Sequence, residues 1–201
     1  MLIRPLLGFG LLLLAGVSTA AEFSVRVVGR DGKPVADAVL YVESAAAKPV
    51  GVTAEIDQIN KEFVPYVSVV PVGSKIRFPN RDNIRHHVYS FSDAKKFELK
   101  LYSGVPSEPV TFDKAGVVAL GCNIHDWMLA YVLVVDTPWF ARSNEQGLAT
   151  LQLPPGPQQL QLWHPDLEQP LAAIAITVTD HAAPLTVTAA LRPRASTEAS
   201  Y

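Results

Sequence analysis

Apolar and polar positions alternate along most of this chain, and no segment sustains the three-to-four spacing of a helix. Phe23-Ser24-Val25-Arg26-Val27-Val28 predicts a strand, Asp31-Gly32 a turn, and residues 35–42 a second strand, so the three read as a hairpin. Residues 44–49, small side chains with one Lys and one Pro, read as a linker. Residues 63–78 hold two β-rich runs around a Val72-Gly73 turn, with Pro65 and Pro71 placing them at sheet edges or bulges. Residues 79–83 are turn chemistry, 85–91 return to strand, and the polar stretch 92–102 reads as a loop with one helical turn. Further strands are expected over 109–112, 116–120 and 129–135. After Pro154-Pro155-Gly156-Pro157 breaks the strand at 148–153, the pattern resumes over 160–163, 174–179 and 185–191. Turn signals at such short intervals predict an all-β protein.

The first twenty residues follow a different rule. Arg4 precedes an apolar run over 6–17, and Ser18-Thr19-Ala20-Ala21 follows it. A charged start, a short greasy core and small residues predict a secretory signal over 1–20, hence a periplasmic protein without membrane association after cleavage. An uncleaved anchor is the alternative, but the run is short for a span and its far flank lacks a basic cluster. With 201 residues and 49% hydrophobic composition the remainder can bury real cores. A net charge of −2 with scattered Lys and Arg leaves no basic stripe, so nucleic acid is not expected as a partner.

Export gives the single cysteine its interest, because an oxidising compartment favours disulfides that one thiol cannot form within the chain. That cysteine sits in Gly121-Cys122-Asn123-Ile124-His125-Asp126-Trp127-Met128, between two apolar strands. A thiolate, an imidazole and a thioether within seven residues suit one soft metal ion, copper above all. A buried inert thiol is the alternative. A blue-copper centre needs a second imidazole, and His86 and His87 both stand upstream. As neighbours on a strand they point to opposite faces, so only one can reach the metal.

Residues 54–136 resemble the cupredoxins, small blue-copper electron carriers such as plastocyanin and amicyanin. The likeness rests on the Phe63 to Phe78 hairpin, the Asn80 turn, the His86 strand and the Cys-x-x-His-x-x-Met spacing, which matches the short amicyanin-type loop. It implies a cupredoxin Greek-key β-sandwich over 50–136 with one type-1 copper held by His86, Cys122, His125 and Met128. His86-His87-Val88 fits the family's His-Asn-aliphatic frame better than His87-Val88-Tyr89, with His87 in the place of the Asn that normally ties strand to loop. The flanks resemble the carboxypeptidase-regulatory or transthyretin-like β-sandwich, through Asp31-Gly32-Lys33-Pro34 on one side and Gln146-Gly147 with Pro154-Pro155-Gly156 on the other. The second, small sandwich is thus expected from residues 22–48 and 137–192, with the cupredoxin inserted at an exposed loop and a frayed tail over 193–201. Two β domains in series would leave the first hairpin without a sheet. This order of modules is similar to that of proteins labelled methylamine-utilisation proteins.

The resemblance implies a single-electron carrier for a redox protein partner, with no open coordination position and hence no catalysis. His125 would be the partly exposed ligand, and Trp127, Met128 and Leu129 would border an apolar docking patch; ordinary loop packing is the alternative for Trp127. Asp82 and Asp126 flank the ligands and could hydrogen-bond to them, against a default of turn chemistry and loop capping. Lys95, Lys96 and Lys100 read as a solvated face, His164 and His181 as structural or solvated histidines. Two other functions stay open: a copper-buffering protein without electron transfer, and a metal-free β-sandwich binding module.

Overall fold

The computed structural model describes residues 20–43, 47–106, 108–179 and 183–193. The expected signal up to residue 19, His181, part of the linker at 44–49 and the tail from 194 lie outside the described residues. All regular elements among the described residues are strands, as the alternation requires. No helix among them is long and apolar enough to cross a membrane.

Strands from the two ends of the chain build one sandwich. Ala21–Val28 runs antiparallel to Leu148–Leu153 on one side and parallel to Leu185–Thr188 on the other. The facing sheet has the order Phe140–Arg142, Val39–Val42, Gly156–Trp163, Ile174–Val178. Its inward residues Leu40, Val42, Leu160 and Leu162 meet Phe23, Val25, Val27, Leu151 and Leu153 from the first sheet in a single core. Burying such side chains contributes roughly 1.5–3 kcal/mol each, so this core depends on both ends of the chain at once.

The first expected hairpin is corrected here. Its turn forms, with Gly32 at φ 75° and Gly29 N–H bonded to Lys33 O at 2.8 Å. The chain pairs back only briefly, through a bridge of Val28 with Pro34 and Val35 N–H donating to Val27 O at 3.0 Å, and then leaves the sheet. Pro34 has no N–H for a ladder, Asp37 stands at φ 62°, and Ser143 Oγ accepts from Ala38 N–H at 2.9 Å while donating to Val35 O at 2.8 Å. The second strand therefore starts at Val39 and pairs in the opposite sheet.

The middle of the chain forms its own layers. A five-stranded sheet has the order Val67–Pro71, Leu129–Val135, Gly116–Gly121, His86–Ser92, Lys95–Tyr102, and Val67–Pro71 is the edge strand that its prolines predicted. A three-stranded sheet of Val110–Phe112, Ser74–Arg77 and Thr53–Glu55 contributes Ile76 and Phe112 to a core shared with Val88, Val118, Leu120 and Val132. Residues 92–102 are not the expected loop with a helical turn, because Lys95–Tyr102 is a strand paired with His86–Ser92. Its Lys96, Glu98 and Lys100 are exposed while Phe97 and Leu99 pack on the core. Such charge-rich alternation suits an edge strand, and it masks the apolar face in sequence.

The two layered units share a third, smaller cluster of Val39, Val67, Leu133 and Val135. Arg142 spans the joint, donating to Val67 O at 2.7 Å and meeting Asp37 at 2.9 Å.

Candidate metal centre

Gly121 closes a strand and Leu129 opens the next one, and these two residues stand opposite each other in the ladder. The chain between them must therefore fold into a compact loop, which is closed by Met128 N–H donating to His125 O at 3.0 Å. Cys122 is 3% exposed and Met128 2% exposed, both set in the core of the middle unit, whereas His125 is half-buried. The loop thus turns its thiol and thioether inward and leaves Asn123, Ile124 and Asp126 to solvent.

His86 opens the adjoining strand. Its ring is fully buried, centred 5.0 Å from the His125 ring, and a register irregularity between His86 and Val88 separates it from its neighbour. One ligand atom each of His86, Cys122 and His125 lies within 4.8 Å of the other two. His87 takes another direction. It is buried against Tyr89, with Nε2 3.0 Å from a Glu98 oxygen but misaligned for a hydrogen bond, so it neither replaces the expected Asn bond nor faces solvent. Asn80 supplies ties of another kind, donating to Ile84 O at 2.8 Å and to Tyr102 O at 2.9 Å.

The hydrogen bonds identify which imidazole nitrogens point into the cluster. His86 Nε2 lies 2.7 Å from Asp82 Oδ2, while His86 Nδ1 and His125 Nδ1 are buried without a partner. Two orphaned ring nitrogens beside a buried thiol are expensive in a dry interior unless something electron-poor sits between them. The donor set of two imidazoles and a thiolate, with a thioether near, fits a copper ion.

Charge in the site follows from burial and contacts. Burial and the neighbouring His86 and Lys61 hold the His125 pKa below its ordinary value, with Asp82 acting in the opposite sense. For Asp82 burial raises the pKa, but donation from Lys61 N–H, the contact with His86 and donation from Asn60 N–H outweigh it, and the group stays below the usual carboxylate range. Tyr102 is pushed up to about 12, by burial first and also by the nearby Cys122, against a hydrogen bond from Gln58.

No family model matches the chain, and no curated protein sequence matches it. Solved structures do. A Cu-containing nitrite reductase from Thermus scotoductus SA-01 is similar over 48% of this chain at 24% identity and a TM-score of 0.39, and the match spans only 25% of the reductase chain. A purple cupredoxin from Nitrosopumilus maritimus is similar over 41% of this chain and 99% of its own, at 21% identity and a TM-score of 0.37. An amicyanin variant in its reduced Cu(I) form is similar over 48% of this chain and 98% of its own, at 19% identity and a TM-score of 0.37.

Of the residues singled out in sequence, His86, Cys122 and His125 come together, and Met128 lies in the same core as Cys122. Trp127 is partly buried with its ring 5.1 Å from that of His125, and Leu129 is 41% exposed. Asp126 is exposed, and Lys95 and Lys96 form surface ion pairs with Asp113 and Asp93. Sequence reasoning missed Asn60 and Lys61, whose N–H groups reach Asp82 from 22 and 21 residues away, and exposed Ile124 beside His125. The first would follow only from knowing the fold. The second was readable as an apolar residue inside the ligand loop.

Proposed function

We propose that residues 50–136 are a cupredoxin-type module in which His86 Nδ1, Cys122 Sγ, His125 Nδ1 and the thioether of Met128 would hold one type-1 copper. In this reading residues 22–48 and 137–192 form the sandwich that carries the module, and the chain is an exported, periplasmic single-electron carrier for a redox protein partner. The observation that carries the reading is the cluster of one thiol and two imidazoles, whose inward nitrogens have no protein partner. Copper bound by such a set would supply one-electron chemistry between Cu(I) and Cu(II).

The chain's own residues would do the rest. The buried Cys122 and Met128 exclude water from the inner side, and the fully buried His86 supplies a fixed imidazole. Half-buried His125, bordered by Ile124, Trp127 and Leu129, leaves one ligand edge near a surface where a partner could approach. The order of modules also supports placing the chain among proteins labelled methylamine-utilisation proteins.

The test is redox cycling with metal analysis. Copper-loaded protein reduced by ascorbate and reoxidised by ferricyanide should exchange electrons rapidly and keep one copper per chain through repeated cycles. Release of copper on reduction would contradict the carrier role and favour metal buffering or delivery.

A further inference from the structure

Asp82 does more than cap a turn. Its Oδ1 accepts Asn60 N–H at 2.7 Å, and its Oδ2 accepts Lys61 N–H at 2.9 Å while lying 2.7 Å from His86 Nε2. Asn60 and Lys61 are both left-handed, at φ 56° and 60°, in the tight turn between the strands Asp57–Ile59 and Glu62–Val64. Paired left-handed residues are typical of two-residue hairpin loops, yet a lysine there is disfavoured without outside support. The backbone that carries the carboxylate is fixed in turn. Asp82 backbone N–H donates to Asn80 Oδ1 at 3.0 Å, and Asn80 Nδ2 donates to Ile84 O and Tyr102 O. A side chain 13% exposed and bound at both oxygens cannot swing away from the imidazole.

Two consequences follow for His86. An acceptor-only carboxylate at Nε2 requires the proton there, which leaves the Nδ1 lone pair directed at Cys122 and His125. A charged acceptor also makes a stronger hydrogen bond than a neutral carbonyl would, and it raises the basicity of the ring toward a metal. We propose that Asp82 is a positioning residue of the centre, fixing the His86 tautomer through a carboxylate locked by the Asn60-Lys61 turn and favouring Cu(II) over Cu(I). The tautomer part stands on geometry alone; the preference between oxidation states rests on the copper reading above.

The experiment compares wild type with Asp82→Asn, a variant that keeps one oxygen, enough for one of the two turn N–H groups, and removes the charge. Nitrogen-15 NMR of the metal-free wild type, at a pH where the imidazole is neutral, should show the His86 proton on Nε2, and Asp82→Asn should lose that preference. Cu(II) affinity, measured by chelator competition, should fall roughly 10- to 100-fold in the variant. Cu(I) affinity should fall less, and each tenfold difference should raise the midpoint potential by about 59 mV. A wild-type proton on Nδ1 would overturn the proposal, as would an Asp82→Asn protein with only its thermal stability altered and its tautomer, affinity ratio and potential unchanged. If the wild type binds no copper, the copper reading fails, and the metal-free NMR arm still decides the tautomer.

Discussion

Each imidazole of the cluster has one buried nitrogen without a protein partner, and burial first, then the neighbouring His86 and Lys61, lower the proton affinity of His125. Its folded pKa lies below the ordinary 6.5. Between the folded value and 6.5 the unfolded chain binds more protons than the native one, so native stability falls as pH is lowered through that window. Above 6.5 the shift costs nothing, and below the folded value its full cost is present. Asp82 adds a second, lower window. Its folded pKa is under 3.8, so its stabilisation is whole above 3.8 and is lost as pH drops through the folded value. Metal-free protein should therefore melt at lower temperature as pH falls from about 7 to about 5, and His125→Gln should flatten that slope. A melting temperature that holds or rises on acidification would contradict the site's electrostatics. At this scale the sequence was informative where chemistry is local. Cys122, His125 and Met128 stood out as candidates by spacing, strand alternation allowed only one of His86 and His87 to join them, and the His-Asn-aliphatic frame of the cupredoxin resemblance favoured His86. Asp82 read equally well as a turn residue because its other partners, Asn60 and Lys61, lie a hairpin away.

Strand fit decides what may stand beside the thiol. Gly121 is opposite Tyr89 in the ladder, and a Cβ at 121 would lie 2.8 Å from both Cζ and Oη of the Tyr89 ring. Tyr89 also continues a row of rings from His87, 5.6 Å away, to Phe91, 5.1 Å away. The glycine before Cys122 is thus a packing requirement of the neighbouring strand. Gly121→Ala should destabilise the protein by roughly 1–3 kcal/mol in chemical denaturation, and Tyr89→Leu in the same chain should recover most of that loss. Unchanged stability in the single variant would show that Tyr89 moves aside freely. Element types were legible wherever apolar residues alternate cleanly, as in Phe23-Val25-Val27 or Leu148 to Leu153. They were hidden at Lys95–Tyr102, where lysines and a glutamate dominate an edge strand; at Val39–Val42 the strand was legible but its pairing was not, because its sheet partners Phe140–Arg142 and Gly156–Trp163 lie a hundred or so residues downstream.

On the scale of the molecule, the chain wraps one layered unit with the two ends of another. Leu133 and Val135 continue the strand that leaves the ligand loop at Leu129, and they pack with Val39 and Val67 where the units meet. Arg142 reinforces that joint by binding Val67 O and Asp37 together. The outer unit thereby covers the face of the strand opposite Met128, Ala130 and Val132, while His125 stays half-buried. Turn motifs at Asp31-Gly32 and Pro154-Pro155-Gly156 pointed to a shared sandwich, but pairings across the full chain length carry no local mark. The copper reading is the claim on which the rest depends, and the visible spectrum of protein loaded with one equivalent of Cu(II) tests it most directly. Wild type should show the intense blue absorption of a thiolate bound to copper, and Cys122→Ser should abolish it. A colourless wild type that retains no copper would contradict the account.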